Sequence, residues 1–181
     1  TGTKFGRQPA GGTRLSLDGG PVYQFGATGT FAEETVVPAA SAVKVDPAMP
    51  LDLAALIGCS VTTAFGAARR VAAIEPGADV VAVVGAGGVG LNVIQAARLA
   101  GAAHVVAIDR VGWKLELAAR FGATTTVLAD DDPVAAVRAL TGGRGADVVF
   151  EAVGSTATIL AAIALARPGG HVVVIGALDG S

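Results

Sequence analysis

The sequence predicts an α/β fold built on a doubly wound parallel sheet, and two observations lead to this prediction. From residue 76 onward, short runs of β-branched residues alternate with alanine-rich stretches of helical length, and Gly, Asp or Pro separates them. These runs are continuously hydrophobic, as strands covered by helices on both faces must be. A parallel sheet with flanking helices is therefore expected in this part of the chain.

The predicted sheet has five strands. They are expected at residues 80–84, 105–108, 124–128, 148–151 and 172–175. The helices between them are predicted to start near Gly88, Gly112, Asp132 and Ser155.

The part before the sheet has a different character. Its first thirty residues are rich in Gly and Thr and offer few apolar side chains, with turns at residues 11–12 and 19–20. Runs at Phe31, 35–37 and 42–45 predict short strands of a small β-domain. Two helical stretches, 51–59 and 61–74, joined near Gly58, then form a bridge to the sheet.

Composition excludes several classes of protein. Hydrophobic residues make up 52% of the 181 residues, so the chain can bury a core and is not disordered. A net charge of −2 without a basic run argues against a nucleic-acid partner. The most apolar stretch, residues 80–91, is short and glycine-interrupted, so no membrane-spanning helix and no membrane partner are expected. A single cysteine cannot form an intrachain disulfide, and this fits a reducing cytoplasm.

A glycine-rich turn follows the first strand of the sheet. Gly85, Gly87 and Gly90 satisfy G-x-G-x-x-G, with a strand before them and a helix after them. This context is typical of a Rossmann-type dinucleotide-binding unit, in which the glycines permit a tight turn, approach of the pyrophosphate and close helix packing. Free N–H groups of the first helical residues, Gly88 and Val89, would then face the phosphates. A purely structural glycine turn is the alternative.

An acidic residue ends the second strand. Asp109 stands nineteen residues after Gly90 and can accept hydrogen bonds from the adenosine ribose hydroxyls. Because its charge would repel a 2′-phosphate, NAD is favoured over NADP. Arg110 follows directly and could stack on adenine, reach a 2′-phosphate or remain solvated.

Short motifs outside the glycine turn extend this interpretation. They are Gly29-Thr30-Phe31-Ala32-Glu33, Val36-Val37-Pro38, Gly58-Cys59-Ser60-Val61-Thr62-Thr63, Phe121-Gly122-Ala123, Thr141-Gly142-Gly143-Arg144-Gly145-Ala146-Asp147 and Phe150-Glu151-Ala152-Val153-Gly154. With the turn, they make the chain resemble the zinc-dependent medium-chain alcohol dehydrogenases nearly end to end, with a lean toward the class III and aryl-alcohol types. The resemblance implies that residues 1–57 are a partial GroES-like catalytic domain with its linker. It also implies that residues 58–181 are an NAD-binding Rossmann domain whose sixth strand is missing.

By this resemblance, Cys59 is one ligand of a catalytic zinc ion, which the family holds with two Cys and one His. Taken alone, an isolated Cys on an alanine-rich helix is more often an inert core residue. The two histidines, His104 and His171, stand at predicted strand starts and are expected to be surface or strand-edge residues. The remaining zinc ligands are therefore expected upstream of this chain, which would be a fragment inactive by itself.

The resemblance assigns further residues to cofactor and substrate. Lys114 would contact the adenosine ribose, and Val153 and Ile175 would be apolar cofactor contacts at strand ends. Thr63 would pack beside the nicotinamide, and Phe25 would form a wall of the substrate pocket. In the intact enzyme, zinc would polarise the alcohol oxygen while hydride passes to NAD. The substrate would be a primary or aryl alcohol or a thiol-hydroxymethyl adduct, and the enzyme a cytoplasmic dimer or tetramer.

Two other functions are compatible with the same turn. A non-catalytic NAD-binding regulatory module needs only the glycines and Asp109, although it would have no use for the segment before Ala54. A zinc-free quinone reductase also transfers hydride but normally uses NADPH, so Cys59 and Asp109 both count against it.

Overall fold

The computed structural model describes residues 12–13, 15–24 and 29–178. Contacts between residues divide the chain into two compact units, Thr1–Met49 and Pro50–Ser181. The boundary expected from the sequence, after residue 57, falls inside the helix that opens the second unit.

Among its described residues, the first unit contains one antiparallel hairpin. Strand β1, Leu15–Leu17, pairs with strand β2, Gly20–Val22. Asp18 and Gly19 form the connection, and both have positive φ angles of 50° and 77°. Paired positive φ angles are those of the tight hairpin turns whose twist matches that of the strands. The turn predicted at 19–20 is present one residue earlier, because Gly20 is the first residue of β2.

The strands predicted at Phe31, 35–37 and 42–45 are wrong. Between residues 29 and 49 the structure has a single short 3₁₀ helix, Ala39–Ser41, and no strand. Phe31 and Val43 lie almost fully exposed, so their side chains do not pack against the described residues of the first unit. A β-prone run becomes a strand only where a neighbouring strand accepts its backbone hydrogen bonds.

One helical rod opens the second unit. Its four consecutive segments are helix α1, Leu51–Leu56, a π-helical turn, Ile57–Val61, helix α2, Thr62–Gly66, and a second π-helical turn, Ala67–Val71. The two predicted helices are thus continuous, and the junction expected near Gly58 is a π-helical turn instead of a break. Ala64, Ala67 and Ala68 pack into the core.

The same rod could cross a membrane by length and composition alone. It has 21 residues with a mean hydropathy of 1.5. The sequence predicts no spanning helix, because its most apolar stretch, residues 80–91, is too short. A single helix of this kind is weak support for a span, since core helices of soluble proteins pass the same test. Its alanine side packs with helix α3, Gly88–Leu99, in one hydrophobic cluster.

A five-stranded parallel sheet forms the centre of the second unit. Its strands are β3, Val80–Val84, β4, His104–Asp109, β5, Thr125–Leu128, β6, Ala146–Glu151, and β7, Ala166–Val174. The spatial order β5-β4-β3-β6-β7 reverses direction beside β3, which is the doubly wound arrangement of a Rossmann-type fold. The predicted fold class is confirmed.

Strand β7 begins earlier than predicted. It starts at Ala166, six residues before the predicted start at residue 172, and contains Pro168 and Gly169. Because β7 lies at the edge of the sheet, it can accommodate a proline and the irregular pairing found opposite Ala146 and Val148.

Helices cover both faces of the sheet. The remaining ones are α4, Gly112–Arg120, α5, Pro133–Leu140, and α6, Thr156–Leu165, each starting where the sequence predicts. One core cluster joins the rod, α3 and α4 to residues such as Val81 and Phe150. The other joins α5 and α6 to residues such as Ala82 and Val149 on the opposite face. Successive residues of a buried strand therefore pack alternately into the two cores.

Candidate dinucleotide site

The glycine turn after β3 has three glycines with different steric surroundings. Gly85 has a φ of 97°, and a Cβ there would lie 2.6 Å from Val153 Cγ2. A Cβ at Gly90 would overlap the carbonyl oxygen of Gly85, so only glycine lets α3 pack this closely on the turn. A Cβ at Gly87 would meet nothing within 4 Å. That open space is where a ligand could approach the backbone.

Helix α3 presents free N–H groups to the same space. Its N-cap residue, Gly87, provides no side-chain hydrogen bond to the first turn. The N–H groups at the start of a helix have no partners within the helix, and the helix dipole makes this end favourable for an anion. Gly88, Val89 and Gly90 supply these groups, so the turn has the elements of a phosphate site.

Asp109 is fastened to this turn. The backbone N–H of Ala86 donates to Asp109 Oδ2 at 2.8 Å, and the N–H of Val111 donates to Oδ1 at 3.0 Å. Lys114 Nζ lies 4.0 Å from Oδ2, and 5.9 Å from the ring centre of Trp113. The carboxylate is thus held rigidly between the ends of β3 and β4, with a flexible cation beside it.

A groove of about 470 Å³ lies at the carboxyl ends of the strands. It brings together five residues that the sequence predicts for the cofactor: Gly85, Asp109, Arg110, Lys114 and Val153. It also contains residues that sequence reasoning missed, which are Val84, Ile108, Val111, Ala129, Asp130 and Thr158. Most of the missed residues stand at or just after strand ends, so the rule that ligands bind at the carboxyl edge of such sheets could have found them.

Other predicted site residues lie outside this groove. Gly87, Gly88, Val89 and Gly90 form the adjacent turn and helix start. Ile175 follows β7 and packs partly buried against the core, so the structure does not bring it into the groove. Phe25 lies outside the described residues.

The predicted metal ligand and its neighbour are on the helical rod. Cys59, in the first π-helical turn, and Thr63, in α2, are both exposed. Asn92 of α3 links the two elements, because its Nδ2 donates to the carbonyl of Gly88 at 2.8 Å and lies 3.4 Å from Ser60 Oγ. The first turn of α3 is therefore tied to the turn that carries Cys59.

The part of the chain that the structure describes does not hold a complete zinc site. Within it, no group of three or more His, Cys, Asp or Glu side chains could hold a metal ion. His104 and His171 are exposed on β4 and β7, as expected for surface residues, although His171 lies within its strand and not at its start. Since a catalytic zinc needs about three protein ligands, Cys59 does not suffice.

A second cavity, of about 460 Å³, lies between the rod and α3. Its lining is apolar apart from Arg69, and it contains none of the residues predicted for cofactor, metal or substrate. The groove at the strand ends is therefore the better candidate for the functional site.

Together, the sheet order, the glycine turn and the fastened carboxylate define a Rossmann-type α/β domain. The family model described as zinc-binding dehydrogenase matches residues 88–181, just over half of the chain. The chain belongs to this zinc-binding dehydrogenase family.

Individual relatives agree with this assignment. An S-(hydroxymethyl)glutathione dehydrogenase of Escherichia coli O1:K1 / APEC is 41% identical over 174 residues, covering 94% of this chain and 47% of the relative. The solved structure of benzyl alcohol dehydrogenase from Acinetobacter calcoaceticus superposes with a TM-score of 0.81 at 32% identity, over 87% of this chain and 43% of that one. The structure of alcohol dehydrogenase TADH from Thermus sp. ATN1 superposes with a TM-score of 0.71 at 40% identity, over 77% of this chain and 40% of that one. The chain thus spans about half the length of the relatives that it matches.

Proposed function

We propose that this chain is the NAD-binding part of a zinc-dependent alcohol dehydrogenase. The observation that carries the proposal is the turn at Gly85–Gly90 together with Asp109. A Cβ is excluded at Gly90 and unopposed at Gly87, which leaves backbone N–H groups accessible to a pyrophosphate. These residues fit a dinucleotide.

Asp109 supports NAD over NADP. Its two oxygens already accept backbone hydrogen bonds, which fix the carboxylate at the groove, and each oxygen keeps acceptor capacity for a ribose hydroxyl. A 2′-phosphate there would meet the charge of Asp109 and of Asp130, which also lines the groove. Arg110 and Lys114 offset part of this repulsion, so the preference is expected to be marked but not absolute.

The activity proposed for the intact protein is oxidation of an alcohol. The substrate is a primary or aryl alcohol or a thiol-hydroxymethyl adduct, in line with the printed names of its relatives. Bound NAD would supply the hydride acceptor. In this proposal Cys59 contributes one zinc ligand, while Thr63, Ile175 and Phe25 contact nicotinamide or substrate. We also propose a cytoplasmic homodimer or tetramer.

A titration of the 181-residue chain with NADH and NADPH tests the proposal. The only tryptophan of the chain, Trp113, lies beside Lys114 near the groove, so its fluorescence should report binding. We expect tighter binding of NADH than of NADPH, with less than one zinc per chain in the same sample. Absence of binding by folded protein would refute the dinucleotide site.

A further inference from the structure

We infer that Glu151 is a positioning residue for the dinucleotide groove. This inference rests on the proposed function. Glu151 is the last residue of β6, pairs with Val84 on one side and Val174 on the other, and is completely buried. It lies where the sheet reverses its order, which is the place where such sheets bind ligands. Burying a carboxyl group here lowers the stability of the fold unless the group forms hydrogen bonds.

One oxygen of Glu151 holds the loop that follows β6. The backbone N–H groups of Val153 and Gly154 donate to Oε1 at 2.9 and 2.8 Å. The hydroxyl of Thr158, in the first turn of α6, donates to the same oxygen at 2.8 Å. Three donors converge on this one oxygen, so the side chain fixes the course of the loop from strand to helix.

The backbone of Glu151 holds a second segment. Its carbonyl oxygen accepts from the N–H of Ile175 at 2.8 Å and of Gly176 at 3.1 Å, just after β7 ends. The two segments touch, because a Cβ at Gly154 would overlap the carbonyl of Ala177. Glu151 therefore couples the exits of both β6 and β7.

The other oxygen, Oε2, is buried and without a hydrogen-bond partner among the described residues. A Cβ at Gly176 would lie 2.7 Å from it, so the β7 exit closes tightly over the carboxyl group. None of the ion pairs found among the described residues involves Glu151. A packing role alone would be met by an apolar side chain, which would carry no such unsatisfied atom.

The loop held by Oε1 shapes the groove. Val153 is half exposed, lines the groove and stands against Gly85, where a Cβ would lie 2.6 Å from its Cγ2. Thr158 lines the groove as well. Because both residues are fixed through Glu151, loosening its hydrogen bonds should displace one wall of the site while leaving the glycine turn intact.

The substitution Glu151→Gln tests this inference, with Asp147→Asn as a matched control. Asp147 is the other buried acid of β6 and lies at its opposite end, away from the groove. In E151Q we expect NADH to bind about tenfold more weakly and hydrogen exchange at Val153 and Gly154 to quicken by at least about fivefold. The NH2 group of Gln would replace Oε2, which has no partner among the described residues, and a buried donor without an acceptor should displace the side chain from its three donors. D147N should lower the melting temperature without either effect.

Thr158→Val is the second variant, in case E151Q does not fold. It removes one donor to Oε1 and keeps a branched side chain of similar shape, so we expect a change in the same direction of about threefold in NADH affinity. Unchanged affinity in folded E151Q, or an equal loss of affinity in D147N at matched stability, would overturn the inference. If the wild-type chain does not bind NADH, the proposed function fails. Faster hydrogen exchange at Val153 and Gly154 in E151Q would still support the inference that Glu151 fixes this loop.

Discussion

Asp109 and Ala86 are joined by a hydrogen bond of 2.8 Å from the backbone N–H of Ala86 to Oδ2. The two residues are distant in sequence, yet this bond fastens the acid that ends β4 to the turn that follows β3. The carboxylate thus has a structural partner as well as a proposed ligand. Substitutions at the turn and at Asp109 should therefore separate effects on folding from effects on binding.

Gly90→Ala and Gly87→Ala should have opposite signatures. At Gly90 an added methyl overlaps the carbonyl of Gly85, so we expect a loss of about 3 kcal/mol in the free energy of unfolding. At Gly87 the methyl meets no protein atom, so stability should change by less than about 0.5 kcal/mol. NADH affinity should nevertheless fall at least about tenfold in G87A, because the methyl occupies the approach to the backbone. Denaturant unfolding and NADH titration measure both; an unaltered NADH affinity in G87A would contradict the phosphate site.

Asp109→Asn should relax the choice of dinucleotide. Loss of the charge weakens hydrogen bonds to the ribose and removes repulsion of a 2′-phosphate. We expect NADH affinity to fall about tenfold and the NADH-to-NADPH preference to shrink by more. The matched control is Asp130→Asn, which removes another acid from the same groove. Titrations with both dinucleotides should show a smaller shift in D130N; an equal shift would assign discrimination to the charge of the groove as a whole.

Asp147 should make stability depend on acid pH. Burial of this carboxyl raises its pKa, but the hydrogen bonds from Val80 N–H and Arg167 and the charges of Arg144 and Arg167 outweigh burial and lower the pKa below 3.8. A lowered folded-state pKa means that the ionised group stabilises the fold fully above 3.8, and that this contribution is lost as pH falls through the lower value.

Asp147→Asn should therefore cost about 2 kcal/mol near neutral pH and progressively less as the pH falls below 3.8. Urea unfolding of both proteins across this range measures the difference. Asp131→Asn, at an exposed acid, serves as the control and should leave stability nearly unchanged. A constant difference between wild type and D147N at all pH values would rule out the ionised carboxylate as the source.

Cys59→Ser should separate metal binding from dinucleotide binding. In the 181-residue chain we expect no change in NADH affinity or in stability beyond about 0.5 kcal/mol, because Cys59 is exposed and outside the groove. In the intact protein the same change should abolish alcohol oxidation and reduce bound zinc, as measured by metal analysis and enzyme assay. Stoichiometric zinc in the 181-residue chain that C59S removes would contradict the incomplete metal site.

Much of the sheet region could be predicted because its signals are local. The boundaries of β3 and the starts of helices α3 to α6 agree with those predicted from the sequence. Helix caps and turns depend on only a few neighbouring residues. Asp132 accepts from the N–H of Ala135, and Ser155 forms a capping box with Thr158. The glycine pattern is also local, because the residues that require glycine at Gly90 lie within the same turn.

Other features depend on partners far along the chain. The runs at Phe31, 35–37 and 42–45 have β propensity, but none of them pairs with a strand among the described residues, so they form no strands. The early start of β7 depends on β6, because Ala146 of β6 pairs with Ala166. Asp130 and Thr158 enter the groove only because parallel strands end at one edge.

By itself, the sequence determined the fold class, the glycine turn, the place of Asp109 at a strand end and the family resemblance. Each of these follows from hydrophobic runs, glycines and short motifs formed by neighbouring residues. Only the tertiary structure decided which of the predicted residues share a groove, that Ile175 packs toward the core, and that Glu151 is buried with its hydrogen bonds directed to two loops. Those outcomes depend on hydrogen bonds and packing between strands distant in sequence, which no local pattern encodes.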